Sequence, residues 1–100
     1  MKFTCQLEEL RDRANIVSRA VSAHPTHPAL GCLSIVAKKG GIEIAGYDLS
    51  LGVKTFLSTE VTDRGAIAVP AKLFGDIISK LPDGEVTICS KNGKTTIESL

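Results

Sequence analysis

Nowhere does the chain carry an apolar run long enough to cross a bilayer, and no apolar leader follows the start, since Lys2, Phe3 and Thr4 already alternate. A cytoplasmic protein with no membrane partner is expected. The cysteines are only three, Cys5, Cys32 and Cys89, widely spaced and without a Cys-x-x-Cys pair, which argues against a disulfide framework and against a zinc site. They read as reduced packing residues. Charge of one sign is not in excess either: 12 Lys and Arg stand against 11 Asp and Glu, a formal net charge of +1, so no global field points to a nucleic acid. Binding of that kind would have to come from local placement of charge.

Chemistry-bearing patterns are equally sparse. Gly40-Gly41 belongs to neither a Gly-x-Gly-x-x-Gly nor a Walker pattern, and no helix follows it, so it reads as a turn. No nucleophile stands beside a base, and no paired carboxylates or metal cluster can be read from the spacing. His24 and His27 with Cys32 come nearest, but both histidines lie in a loop bounded by prolines. Catalytic residues, metal and cofactor are all expected to be absent.

What the chain does have is the composition of one small folded domain. Its 100 residues are 43% hydrophobic and 23% charged, near globular averages, and a domain of this size buries about two-thirds of its unfolded surface. Lys2 to Leu7 alternates, with Phe3, Cys5 and Leu7 on one face, which is the period of a half-buried strand. From Glu8 the period lengthens, and Leu10, Ala14, Val17 and Val21 form one helical stripe with Glu8 and Glu9 in the first turn. His24-Pro25-Thr26-His27-Pro28 ends that helix.

Strands are then expected over Leu33 to Ala37, Ile42 to Gly46 and Leu51 to Leu57, as a meander whose first turn uses Gly40 and Gly41. Ala66 to Val69 reads as a short strand, and Pro70 opens a second helix whose apolar side is Leu73, Phe74, Ile77, Ile78 and Leu81. Pro82-Asp83-Gly84 stops it. Val86 to Ser90 and Thr95 to Leu100 flank Lys91-Asn92-Gly93-Lys94, and Asn-Gly is the strongest short hairpin signal available. The fold class is α+β, with an antiparallel sheet and two helices on one face. Arg11, Asp12, Asn15 and Arg19 lie away from the first helix's apolar stripe, and Lys72, Gly75, Asp76 and Ser79 away from the second's, as two faces of mixed charge.

Several stretches together resemble the N-terminal domain of the bacterial DNA polymerase III β subunit, the sliding clamp. Met1-Lys2-Phe3 is similar to that family's first strand, His24-Pro25-Thr26-His27-Pro28-Ala29-Leu30 to its Arg-Pro-Thr-x-Pro-x-Leu segment, and Ala45-Gly46-Tyr47-Asp48-Leu49 to its Gly-Thr-Asp-Leu strand end. Val69-Pro70-Ala71-Lys72, followed by Leu81-Pro82, resembles its second-helix segment. The resemblance implies a DNA-clamp domain in a non-catalytic processivity factor, three such domains per chain and a head-to-tail homodimer ringing duplex DNA. Helices line such a hole, so the mixed helix faces would meet phosphates without reading sequence.

Residue by residue, the resemblance implies DNA-facing positions at His24 and Lys72, with Arg19 and Arg11 as further basic residues of the first helix. Histidine at 24 stands where the family often has arginine, and Tyr47 where it has threonine. Residues 1–100 are expected to be an incomplete first domain lacking its last strands, and contacts with polymerase III and clamp-loader subunits are expected from domains absent here. Two other classes remain open: a stand-alone interaction domain dimerising through a sheet edge, and an enzyme using Cys32 with a histidine.

Overall fold

A computed structural model describes residues 1–19, 31–48 and 51–99. Val21, the segment from His24 to Leu30 and Leu49 lie outside the described residues. Strand β1 (Lys2–Gln6) passes directly into helix α1 (Leu7–Ser18), one residue before the period change read at Glu8. Gln6 contributes no capping side chain; the Leu7 N–H instead donates to the Gly84 carbonyl at 2.7 Å, which satisfies one of the helix's orphan donors from a distant loop. Glu8 and Glu9 occupy the first turn, at the positive end of the dipole.

Strands β2 (Cys32–Lys38), β3 (Gly41–Asp48) and β4 (Leu51–Ser58) form the expected meander, with Gly40 at φ 90° in the first turn. Next come β5 (Glu60–Asp63), β6 (Gly65–Pro70) and helix α2 (Ala71–Lys80), then β7 (Glu85–Lys91) and β8 (Lys94–Ser99). Between β7 and β8 the turn residues Asn92 and Gly93 have φ of 54° and 77°, the paired positive values that a two-residue hairpin twisting with its strands demands.

The α+β class and the antiparallel pairing hold throughout, but the strands expected in one sheet are divided between two. One has the order β5-β1-β7-β8 and the other β4-β3-β2-β6. The division follows from an exchange. The chain contains two strand–helix–hairpin units, and the strand that precedes each helix pairs with the hairpin of the other: β1 with β7, β6 with β2. Register then matches the pleat, since Phe3 faces Ile88, Cys5 faces Val86 and Leu33 faces Val69, all buried. Strand β5 was not expected; of Glu-Val-Thr-Asp only Val61 is half-buried, too little alternation to read, and its partner is β1.

A single apolar core draws on both sheets and both helices, with Phe3, Leu10, Val17, Leu33, Ile44, Phe74 and Ile78 among its buried members. Helix α1 lies against β3, β4, β1 and α2, and α2 also meets β6. Only one side of α2 is covered: Ala71, Phe74 and Ile78 are buried, whereas Leu73 and Ile77, expected with them, are 58% and 40% exposed. Both line an open groove of about 240 Å³ beside Ala68, Pro70, Thr95 and Ile97, where β6 and β8 come to the edges of their sheets.

Candidate nucleic-acid interface

The basic residues singled out from sequence occupy three different situations. Lys72 is exposed in the first turn of α2, on the side opposite Phe74 and Ile78, and no ion pair holds it among the described residues. Arg19 is exposed at the C-cap of α1, where a cation complements the negative end of the dipole. His24 lies outside the described residues.

Arg11 is placed otherwise. Its guanidinium turns toward the end of α2, with Nε and Nη2 donating to the Ile78 carbonyl at 3.2 and 3.0 Å, Nη2 also to the Leu81 carbonyl at 3.1 Å, and Nη1 to Asp83 Oδ1 at 2.9 Å. No spacing in the sequence signals this, because the partners lie 67 to 72 residues away. Arg13 is likewise engaged, bonded to Asp12 at 3.2 Å and reaching the Phe56 carbonyl. Around these cations the acidic Glu8, Glu9 and Asp12 are all exposed. The helix surface is therefore mixed in charge, with Lys72 and Arg19 as exposed cations in no ion pair among the described residues.

On the far side of the β3–β4 ladder, Glu43 binds Lys38 at 2.9 Å and Lys54 at 3.5 Å. The Lys38 hydrogen bond holds the Glu43 carboxyl below its ordinary range. Lys38 also stands 5.9 Å from the centre of the Phe56 ring. Tyr47, for which the sequence offered no account, lays its ring over Gly52, the residue opposite it in the ladder.

Cys5 is not placed as a nucleophile. Burial, reinforced by the Glu9 charge, pushes the Cys5 thiol up to about 12, which leaves almost no thiolate at neutral pH. Cys32 is half-buried at the start of β2, and both histidines proposed as its partners lie outside the described residues. Among the described residues no three His, Cys, Asp or Glu side chains converge as metal ligands would. No helix there is long and apolar enough to cross a membrane.

Against known proteins, residues 1–100 match the family described as DNA polymerase III beta subunit, N-terminal domain. The beta sliding clamp of Synechocystis sp. is 43% identical over 90 residues, a span of 88% of this chain and 23% of that protein. That of Synechococcus elongatus is 39% identical over 100 residues, covering 97% of this chain and 27% of its own. Among solved structures, a DNA polymerase III beta subunit from Eubacterium rectale, 38% identical, superposes on the whole chain with a TM-score of 0.95 and is covered over 28% of its length. The chain thus spans about a quarter of the length of these relatives.

Proposed function

The chain belongs to the DNA polymerase III beta-subunit family, matching its N-terminal domain, and on that premise we propose that it forms the larger part of the first domain of a DNA-encircling clamp. The clamp is non-catalytic and cytoplasmic. It holds the replicative polymerase on duplex DNA as a head-to-tail homodimer, and it meets polymerase and clamp-loader subunits through parts of the protein outside these residues. The carrying observation is the whole-chain superposition on a family member at 38% identity. The outer edge of β8, which pairs with β7 alone among the described residues, is where the last strands of the domain would add.

Contact with DNA is assigned to the exposed cations of the helix surface, Lys72 and Arg19, together with His24. Few cations among acidic neighbours favour weak phosphate contact of no sequence preference, which lets a ring move along the duplex. A salt titration of duplex binding by the full-length protein tests this. Lys72→Ala should weaken binding equally on all sequences and lower the slope of log K against log salt by about 0.9, the release of one counterion. Histidine adds charge only when protonated, so His24→Arg should tighten binding at neutral pH, with the gain shrinking toward about pH 6. An unchanged slope for Lys72→Ala, or no gain from arginine at neutral pH, removes these residues from the interface.

A further inference from the structure

Helix α2 ends without the means to satisfy its own last carbonyls. Its C-cap, Leu81, is extended (φ −77°, ψ 148°) and Pro82 follows, so no left-handed glycine turns the chain back to donate to them. Arg11 supplies those donors from the neighbouring helix, with three hydrogen bonds to the Ile78 and Leu81 carbonyls. One turn earlier on the same stripe of α1, the Leu7 N–H holds the Gly84 carbonyl. Helix α1 therefore grips the segment from Ile78 to Gly84 at two levels. The carbonyl bonds are part-buried and carry most of the weight, because Asp83 is 66% exposed and an ion pair there is screened by water. A positive charge also suits this end of α2, where the helix dipole is negative.

We propose that Arg11 is a positioning residue: it caps α2 from α1, fixes the angle between the two helices, and so keeps the faces bearing Lys72 and Arg19 in one arrangement while withholding its own charge from DNA. The DNA half of this inference rests on the clamp reading; the capping half rests on geometry alone. Only a planar fork reaches two carbonyls and a carboxylate at once, so lysine, a single point charge, cannot replace it.

The test uses the full-length protein with Arg11→Ala and Arg11→Lys, each measured by thermal unfolding and by salt titration of binding to a mixed-sequence duplex. Both variants should lower the unfolding temperature of the first domain by roughly 5–10 °C, the scale of losing charge-assisted bonds in a domain of this size. Far below that temperature both should weaken duplex binding severalfold while leaving the salt slope as it was, and lysine should restore neither property. A slope reduced by about one in Arg11→Ala and recovered in Arg11→Lys would make Arg11 a direct phosphate contact and overturn the proposal. Lower thermal stability with unaltered DNA affinity overturns the positioning half, and unaltered stability in both variants overturns the cap. Should the unsubstituted protein bind no duplex at any salt, the clamp reading fails, and the thermal arm still decides the cap. If Arg11→Ala does not fold, Arg11→Lys, which keeps the aliphatic stem, carries the comparison alone.

Discussion

Two glycines on the same face of the β3–β4 ladder should respond to the same substitution in opposite ways. A Cβ on Gly52 would come within 2.7 Å of the Tyr47 ring and of nothing else so close. Tyr47 is 49% exposed, so its ring can swing into water, at the cost of its packing on the strand. Against that loss stands the gain of about 0.4–1 kcal/mol from restricting the unfolded chain, which leaves Gly52→Ala within about 0.5 kcal/mol of the parent. At Gly41 the obstacle is backbone. Its Cβ would run into the Leu57 carbonyl oxygen of the paired strand and also press on the Phe56 ring at 2.7 Å. The ring can turn aside, but the carbonyl cannot yield without parting the Gly41–Ser58 and Ile42–Leu57 register. Overpacking costs about 1–3 kcal/mol, and a disturbed ladder hydrogen bond adds about 1 kcal/mol, so Gly41→Ala should lose about 2–4 kcal/mol. Urea unfolding of the first domain measures both, with the midpoint moving and the slope constant if the denatured state is unaffected. Equal losses at the two positions, or a loss under about 1 kcal/mol at Gly41, would refute the claim that the close strand contact is what requires glycine there.

Cys5 should resist alkylation in the folded protein at neutral pH and react only on unfolding, which mass spectrometry of iodoacetamide-treated samples would show. Because its folded pKa of about 12 lies above the unfolded value, near 8.5, the stability it confers is complete below about pH 8.5 and is lost as pH rises toward about 12. Cys5→Ala should flatten that alkaline part of the stability curve while lowering the whole by the cavity it opens. The Thr55 hydroxyl is buried with no hydrogen-bond partner among the described residues. Thr55→Val, which removes the unpaired oxygen and keeps the shape, should raise stability by about 1 kcal/mol in the same urea assay; a loss instead would mean that the oxygen has a partner.

Features carried by neighbouring residues were legible in the sequence, and those carried by partners far along the chain were not. The stripe Leu10, Ala14 and Val17 and the Asn92-Gly93 turn depend only on local geometry, and both are found as expected. Pairing of β1 with β7 joins residues 2–6 to residues 85–89, and nothing in either segment names the other. The single expected sheet therefore became two, and β5 went unread because a strand of four residues with only Val61 half-buried has almost no apolar alternation. Tyr47 acquired a physical role only once register placed Gly52 beneath it. Leu73 and Ile77 satisfy helical periodicity, yet periodicity says which side of a helix is apolar and not how far the neighbours reach to cover it.

The exchange of first strands has a consequence for how the protein comes off the ribosome. Strand β1 is made before both of its partners, and although β5 begins at Glu60, the fuller pairing with β7, which begins at Glu85, waits for about 80 more residues to be added. At about 5–20 residues per second that interval is several seconds, far longer than a short helix or hairpin needs to form. The meander β2–β3–β4 can assemble in the meantime, but its fourth strand, β6, also arrives late. Until β7 arrives Phe3 and Cys5 have only the four-residue β5 to pair with, and a newly made chain interrupted before β7 would leave them available to whatever apolar surface it meets. Closure of this sheet around β1 waits for the β7–β8 hairpin, so residues 2–6 are among the last of the described residues to be enclosed.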